Sequence, residues 1–465
     1  MTFVSPGTPV PCCVDVRDGY VPRARYALRM LLLPLGLEPQ WVEPSPESLY
    51  YGPRPTGHAG RTLAYAPEAS SFYARGEAFR PAEATWRRLA DEDVPVCFTD
   101  QAGRPDLVAS AFLWLSGWQE RTAGLRDEHG RVPYAGSLNA VLGTARRPVV
   151  DAYRASLAGQ LRRTGLEPRV RRWGGRPWAF CPTHDVDYLR KWRPGILYRE
   201  LVEYLMLNRR DVPPSRRIAR ARKACRQMIG RDPYLRALHE MPLDVSDRGG
   251  TATYFVKTGS GDPHDVPYRI GSTLLRNWMG RLREGGFEIG LHPSYAALER
   301  LDRFREEKER LERAAGASVA AVRHHYLRYD PLRTGPMQQE LGFRIDSTLG
   351  YAEHEGFRRG TCMPFQVYDL ERDLPLDVWE MPLALMDSAL FNRRRLRAAQ
   401  AAEVTGELAE ACQKYGGVLV GLWHTTLGDE IDCPGWRTHF LHALDTARQG
   451  EAVIASLSDA LRAWA

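Results

Sequence analysis

The sequence predicts an α/β protein: a parallel sheet, open or closed into a barrel, over residues 171–465, preceded by a smaller mixed α/β domain at 1–170. Length is one reason, because 465 residues exceed what a single ordinary core organises. Rhythm is another. Beyond the proposed junction, short apolar runs alternate with amphipathic helical stretches about seven times, as the strands and covering helices of a parallel sheet do. Several of these runs also end in His, Arg or Asp, and in α/β barrels the C-terminal strand ends build the active site.

In the N-terminal part VPCCVDV reads as a short strand and ARYALRMLLLPLGL as a helix. RTLAYAP and VPVCFTD read as strands, and LVASAFLWLSGW as an amphipathic helix. A helix from about Pro148 to Arg163 leads into VRRWGGRP, whose glycines and proline mark the junction. Past it, WAFCPTH, TATYFV, FEIGLH, AAVRHHY, FRID, VWEMPL and GVLVGLW read as strands. Helical stretches such as YRIGSTLLRNWMGRLRE and YAALERLDRFREEKERLERA separate them. From about 190 to 248 the rhythm breaks into two basic amphipathic helices, ILYRELVEYLMLNRR and SRRIARARKACRQMIGR, joined by DVPP. A solvated arginine-rich face covering the sheet is preferred there to weak peripheral contact with a membrane or a polyanionic glycan.

Composition excludes several classes. With 43% hydrophobic and 26% charged residues the chain is an ordinary globular protein, and a formal charge of +7 over this length implies no nucleic-acid partner. Eight cysteines without a CxxC pair read as reduced, mostly buried thiols rather than a disulfide framework or zinc knuckle. The N-terminus lacks the pattern of a signal peptide, and the longest apolar run, LRMLLLPLGL, is broken by Pro34 and far short of the ~20 residues of a membrane span. A cytoplasmic protein is expected. Oligomeric state is not legible.

Chemistry concentrates at strand ends. THDVD places Asp185 and Asp187 two residues apart, able to hold a cation or an activated water, although paired aspartates also cap helices and turns. His292 closes FEIGLH, Arg323, His324 and His325 lie at the end of another strand, and His424 ends GVLVGLWH. A lone histidine is usually a packed one. Four strand ends carrying Asp, His, His/Arg and His together are what a metal-assisted hydrolase needs. Carboxylates and imidazoles hold an ion that acidifies water, one Asp accepts a proton and one His returns it.

The order THDVD, EIGLH, RHHY, GFRIDSTLGY and GLWH, from about Trp178 to Ala465, resembles the successive motifs of polysaccharide deacetylases, carbohydrate esterase family four. It looks closest to the bacterial branch whose first motif is HDVD. The segment DLVASAFLWLSGWQER with DEHGRVPYAGSL resembles the domain that precedes the deacetylase domain in that branch. The resemblance implies a distorted (β/α)7-type barrel that removes N- or O-acetyl groups from a sugar or polysaccharide. It also implies a divalent metal, zinc in first place, with cobalt or another ion as alternatives. Carried over by motif, Asp185 is the catalytic base, Asp187 and His292 are metal ligands, Arg323 orients the base and His424 is the general acid. Tyr326, Asp346, Leu422 and Trp423 fall on the substrate side. One departure stands out: the family's HxxxH second motif has Ala296 where its second histidine belongs. His325, or failing that His184, would complete the ligand set; with neither, the resemblance implies a site that works without metal or one that is not catalytic.

Glu380 and Asp387, around the sixth strand, line the cleft or serve as structural hydrogen-bond partners. His354 sits in a Gly-rich loop, and for Trp436 burial is the default. Two other readings stay open: a catalytically inactive, deacetylase-like glycan-binding or scaffold protein, and a hydrolase of a C–N bond in a small cyclic amide.

Overall fold

The computed structural model describes residues 4–53, 61–200, 202, 213–259 and 261–464. Near the N-terminus β1 (Thr8–Val14) pairs in parallel with β2 (Leu37–Trp41) and β3 (Leu49–Tyr51), in the order β2-β1-β3. The helix predicted over ARYALRMLLLPLGL starts earlier, at Val21, and ends at Leu32. A 3-10 turn, Leu33–Leu35, and Gly36 at φ 71° then redirect the chain into β2, which periodicity alone did not separate from the helix. A hairpin, β4 (Thr85–Leu89) with β5 (Glu92–Val96), turns at Ala90 and Asp91, both with positive φ. RTLAYAP is not a strand: only Thr62 bridges to Tyr50, and the amide of Ala66 goes to Asp106 Oδ2 at 2.8 Å instead of a ladder. The predicted helices after it appear as Leu107–Leu115 and Val149–Arg163.

The main sheet begins with β6 (Ala179–Val186), buried at every position, as a parallel strand covered on both faces must be. It continues with β7 (Thr253–Lys257), β8 (Glu288–His292), β9 (Ala321–Val322) and β10 (Ile345–Asp346). Next come β11 (Phe365–Asp369), β12 (Leu374–Glu380), β13 (Leu383–Met386), β14 (Val418–His424) and β15 (Val453–Ile454). The order β11-β12-β10-β9-β8-β7-β6-β14-β13 is parallel throughout except for the β11–β12 pair, with β15 added beside β6. The sheet is curled. One length of chain serves both sides of the sheet, because β12, next to the edge strand β11, pairs with β10 and, past Met381 and Pro382, the edge strand β13 pairs with β14.

Helices Thr273–Glu284, Leu301–Ala315, Ala398–Tyr415 and Trp436–Gln449 alternate with these strands as the sequence predicts. In the basic excursion the helix Pro214–Ile229 buries only Ala224, so its arginines are largely solvated. It is tied down by Arg220 to Glu200 at 2.6 Å and to Asp432 at 2.5 Å. Of ILYRELVEYLMLNRR, Pro194–Tyr198 includes the first helical residues, and positions 201 and 203–210 lie outside the described residues. One hydrophobic cluster runs from Val10 to Trp464 through both parts of the chain. All eight cysteines are unpaired, and only Cys225 is exposed. Among the described residues no helix is long and apolar enough to cross a membrane.

Candidate metal and hydrolytic site

Register fixes the site. On β6, Thr183 and Asp185 share one face and His184 the other, as strand alternation requires, and Asp185 stands opposite His424 on β14. On the next two strands Lys257 pairs with His292. The C-terminal ends of β6, β8 and β14 thereby gather around one cleft of about 230 Å³, whose lining includes Asp185, Asp187, His292, His325, Tyr326 and His424.

Asp187, His292 and His325 each offer one ligand atom, all within 4.8 Å of one another. His292 Nε2 lies 3.3 Å and His325 Nε2 3.6 Å from Asp187 Oδ1, and that buried oxygen has no hydrogen-bond partner. A tetrahedral ion with bonds of about 2.0–2.1 Å separates its ligand atoms by roughly 3.3 Å. Two imidazoles and a carboxylate at this spacing fit zinc or a similar divalent ion and leave a fourth position for water or substrate. The far sides of both rings are pinned. His292 Nδ1 is 2.7 Å from the Arg323 carbonyl, and His325 Nδ1 is 2.9 Å from Asp265 Oδ1. Such outer contacts select the tautomer that presents Nε2 to a metal.

Arg323 is fully buried, and each of its three nitrogens donates. It donates to Asp185 Oδ1 at 3.2 Å, Thr183 Oγ1 at 2.7 Å, the Ser347 carbonyl at 2.7 Å and Ser347 Oγ at 2.8 Å. Asp185 is therefore held by its Oδ1, while its Oδ2 faces His292 Nε2 at 3.8 Å. His424 Nδ1 is 2.7 Å from Asp387 Oδ1, and its Nε2 points into the cleft, 3.8 Å from Asp187 Oδ2.

Charge follows from these contacts. Burial alone would lower the His424 pKa, but Asp387 and then Asp187 and Asp185 outweigh it and push it up to about 10, so the ring is protonated at neutral pH. Burial would raise the Asp187 carboxyl, yet the three histidines hold it well below the usual carboxylate range. His325 goes the other way. Burial depresses it despite Asp187 and Asp265, which leaves a neutral imidazole suited to ligation.

Other expected residues lie elsewhere. His184 cannot complete the ligand set, because its ring faces Tyr254 and Phe440 on the outer side of β6, and burial lowers its pKa to about 3. Trp423 is also on that side, packed against Phe180 and Phe440, so Leu422 lines the cleft and Trp423 does not. Asp346 is buried against Thr348 and beside Glu380, away from the cleft lining. His354 stacks on Tyr134 at 3.8 Å, and Trp436 is buried against Phe391. Sequence reasoning missed Asp265, which lies in the loop GDPHDVPYR without periodic signal, and Arg131, a lining residue from the N-terminal part. Asp387 was legible as one more polar residue just past a strand.

Comparison with known proteins gives the following. Residues 19–165 match the model of a family of unknown function, DUF7033. No curated protein matches the chain. Among solved structures, a Mycobacterium smegmatis protein assigned as a polysaccharide deacetylase is 18% identical, covering 61% of this chain and 88% of its own, with a TM-score of 0.40. A mutant peptidoglycan deacetylase of Bacillus subtilis is 10% identical, with coverages of 62% and 91% and a TM-score of 0.30. A pseudoenzyme of carbohydrate esterase family four from Bacillus anthracis is 11% identical, with coverages of 63% and 67% and a TM-score of 0.27.

Proposed function

We propose that this protein is a metal-dependent hydrolase that removes acetyl groups from an acetylated sugar or polysaccharide. In this reading residues 171–465 form a distorted (β/α)7-type catalytic barrel, with the 374–386 segment counted as one strand, and residues 1–170 form an N-terminal domain. The observation that carries it is the presence, around one cleft, of three side chains spaced as metal ligands, a carboxylate held by an arginine and a histidine held by a carboxylate. Asp187, His292 and His325 would hold the ion, zinc by donor type, which would supply a water acidic enough to attack at neutral pH. Asp185, oriented by Arg323, accepts the water's proton. His424 delivers a proton from Nε2 to the departing amine or alkoxide, and Asp387 stabilises its cationic form. Leu422 and Tyr326 border the space for the acetyl methyl and the sugar.

A cleft of about 230 Å³ that opens to solvent seats an acetyl group and the ring that carries it, and leaves the rest of a glycan outside its mouth. The same donor set also suits a second reading, hydrolysis of the C–N bond of a small cyclic amide. Stoichiometric zinc in the purified protein, and acetate released from N-acetylglucosamine or chito-oligosaccharides but not by Asp185→Asn, are expected. Ring opening of cyclic amides without acetate release would instead select the second reading. A cytoplasmic location is part of the proposal.

A further inference from the structure

The loop Asp127–Arg131 belongs to the N-terminal part, yet it reaches the mouth of the cleft. Asp127 organises it. Its Oδ1 accepts the amides of His129 and Arg131, each at 2.9 Å, and Gly130 turns the chain at φ 75°. The Arg131 guanidinium is fixed on the same carboxylate, with Nε and Nη2 both 2.7 Å from Oδ2. Its Nη1 donates to the carbonyl of Tyr326. Arg328 returns the clasp from the other side, donating to the His129 carbonyl at 3.2 Å and the Tyr295 carbonyl at 2.5 Å. The His129 ring lies 4.6 Å from that of Tyr326.

What the clasp holds is strained. Tyr326 and Leu327 have φ of 60° and 52°, a left-handed conformation that residues with a Cβ adopt at a cost and keep only where their surroundings impose it. Both follow directly on His325, whose Nε2 belongs to the ligand set. We propose that Arg131 is a positioning residue. By capping the Tyr326 carbonyl it holds the left-handed turn, and through that turn it keeps His325 beside Asp187. The N-terminal part is thus a working component of the site. The inference rests on the metal-dependent reading above for its chemical meaning, but not for its geometry.

The test uses the full-length protein and variants Arg131→Ala, Arg131→Lys and Arg131→Ala combined with Tyr326→Gly. Cobalt(II) affinity and ligand-field absorption are measured, and metal-free crystals of the wild type and Arg131→Ala are solved. Arg131→Ala is expected to bind cobalt about tenfold more weakly, the loss typical of an outer-shell partner. Arg131→Lys should recover little, because a point-like ammonium cannot hold Asp127 and Tyr326 together. Tyr326→Gly should restore affinity to Arg131→Ala, since glycine takes positive φ unaided. In the metal-free crystal of Arg131→Ala, Tyr326 should relax to negative φ and His325 should move away from Asp187. Retained φ at Tyr326, undiminished cobalt affinity, or a loss that Tyr326→Gly does not restore would each overturn the proposal. If the wild type binds no cobalt, the metal reading fails by itself, and the φ of Tyr326 in the Arg131→Ala crystal decides the role of Arg131.

Discussion

The Asp387–His424 pair couples charge to geometry within a single residue contact, 2.7 Å between Oδ1 and Nδ1. With the His424 pKa at about 10 against roughly 6.5 unfolded, the folded state holds the proton longer. The resulting stabilisation is complete below about pH 6.5 and is lost as pH rises through about 10. Asp387→Asn is therefore expected to cost on the order of 3 kcal/mol near pH 6 and to flatten the decline of Tm above neutrality. The same substitution should move the alkaline limb of the kcat/KM profile for acetate release to lower pH, and an unmoved limb would argue against His424 as the acid. Asp185→Asn should lower kcat by roughly 10²- to 10⁴-fold while zinc remains bound, because Asp185 is outside the ligand set. Asp265→Asn should instead weaken zinc binding by about 10- to 100-fold, as titration with a chelator would show.

At the scale of elements, strand ends decide which residues can meet. Gly290 lies on β8 two residues before His292, and a Cβ there would come within 2.6 Å of the Phe255 ring. Gly290→Ala should push β8 off β7, costing about 1–3 kcal/mol in urea denaturation and weakening zinc binding in parallel. The sequence made most of this element legible. Strand residues around Thr183, Phe255, Ile289 and Leu419 are apolar runs of the right length, and alternation along β6 already separates Asp185 from His184. It also implies that Trp423 and Leu422 face opposite ways, a consequence the sequence reading did not draw. AAVRHHY illustrates what stayed hidden. Only Ala321–Val322 is strand, and the rest turns through the left-handed Tyr326 and Leu327, which no hydrophobic pattern encodes. β11 was missed because an antiparallel edge strand lies outside the strand-helix rhythm, and Asp265 and Arg131 because loops bring them to the site from distant positions.

For the molecule as a whole, the N-terminal part and residues 171–465 share their interior. Asp151 is buried and receives the Cys362 amide at 2.8 Å, Thr361 Oγ1 at 3.0 Å and the Arg154 guanidinium at 2.8 Å. Asp151→Ala leaves the buried Arg154 without its carboxylate, an expected loss of about 3–5 kcal/mol. Thermal unfolding of the full chain should be a single transition, and residues 171–465 expressed alone should aggregate; a soluble, cooperatively folded fragment would show that the shared interior is dispensable. The stretch 374–386 has its own consequence at this scale. Mechanically the sheet is a curled wall whose two sides are joined by one covalent strap, with Pro382, which has no amide proton, at the crossing. Such a wall can change its curvature without unzipping a ladder. Here one end of the strap, β12, finishes at Glu380 in the neighbourhood of Arg323, and the other, β13, leads to Asp387 and His424. Asp185 and His424 are themselves register partners on β6 and β14, so what the strap gauges is the reach from Arg323, which holds Asp185 and whose partner Ser347 donates to the Met381 carbonyl, to Asp387, which holds His424. Pro382→Gly, which slackens the strap far from any substrate contact, is expected to lower kcat several-fold with KM little changed, and an unaltered kcat would show that the gauge is set elsewhere.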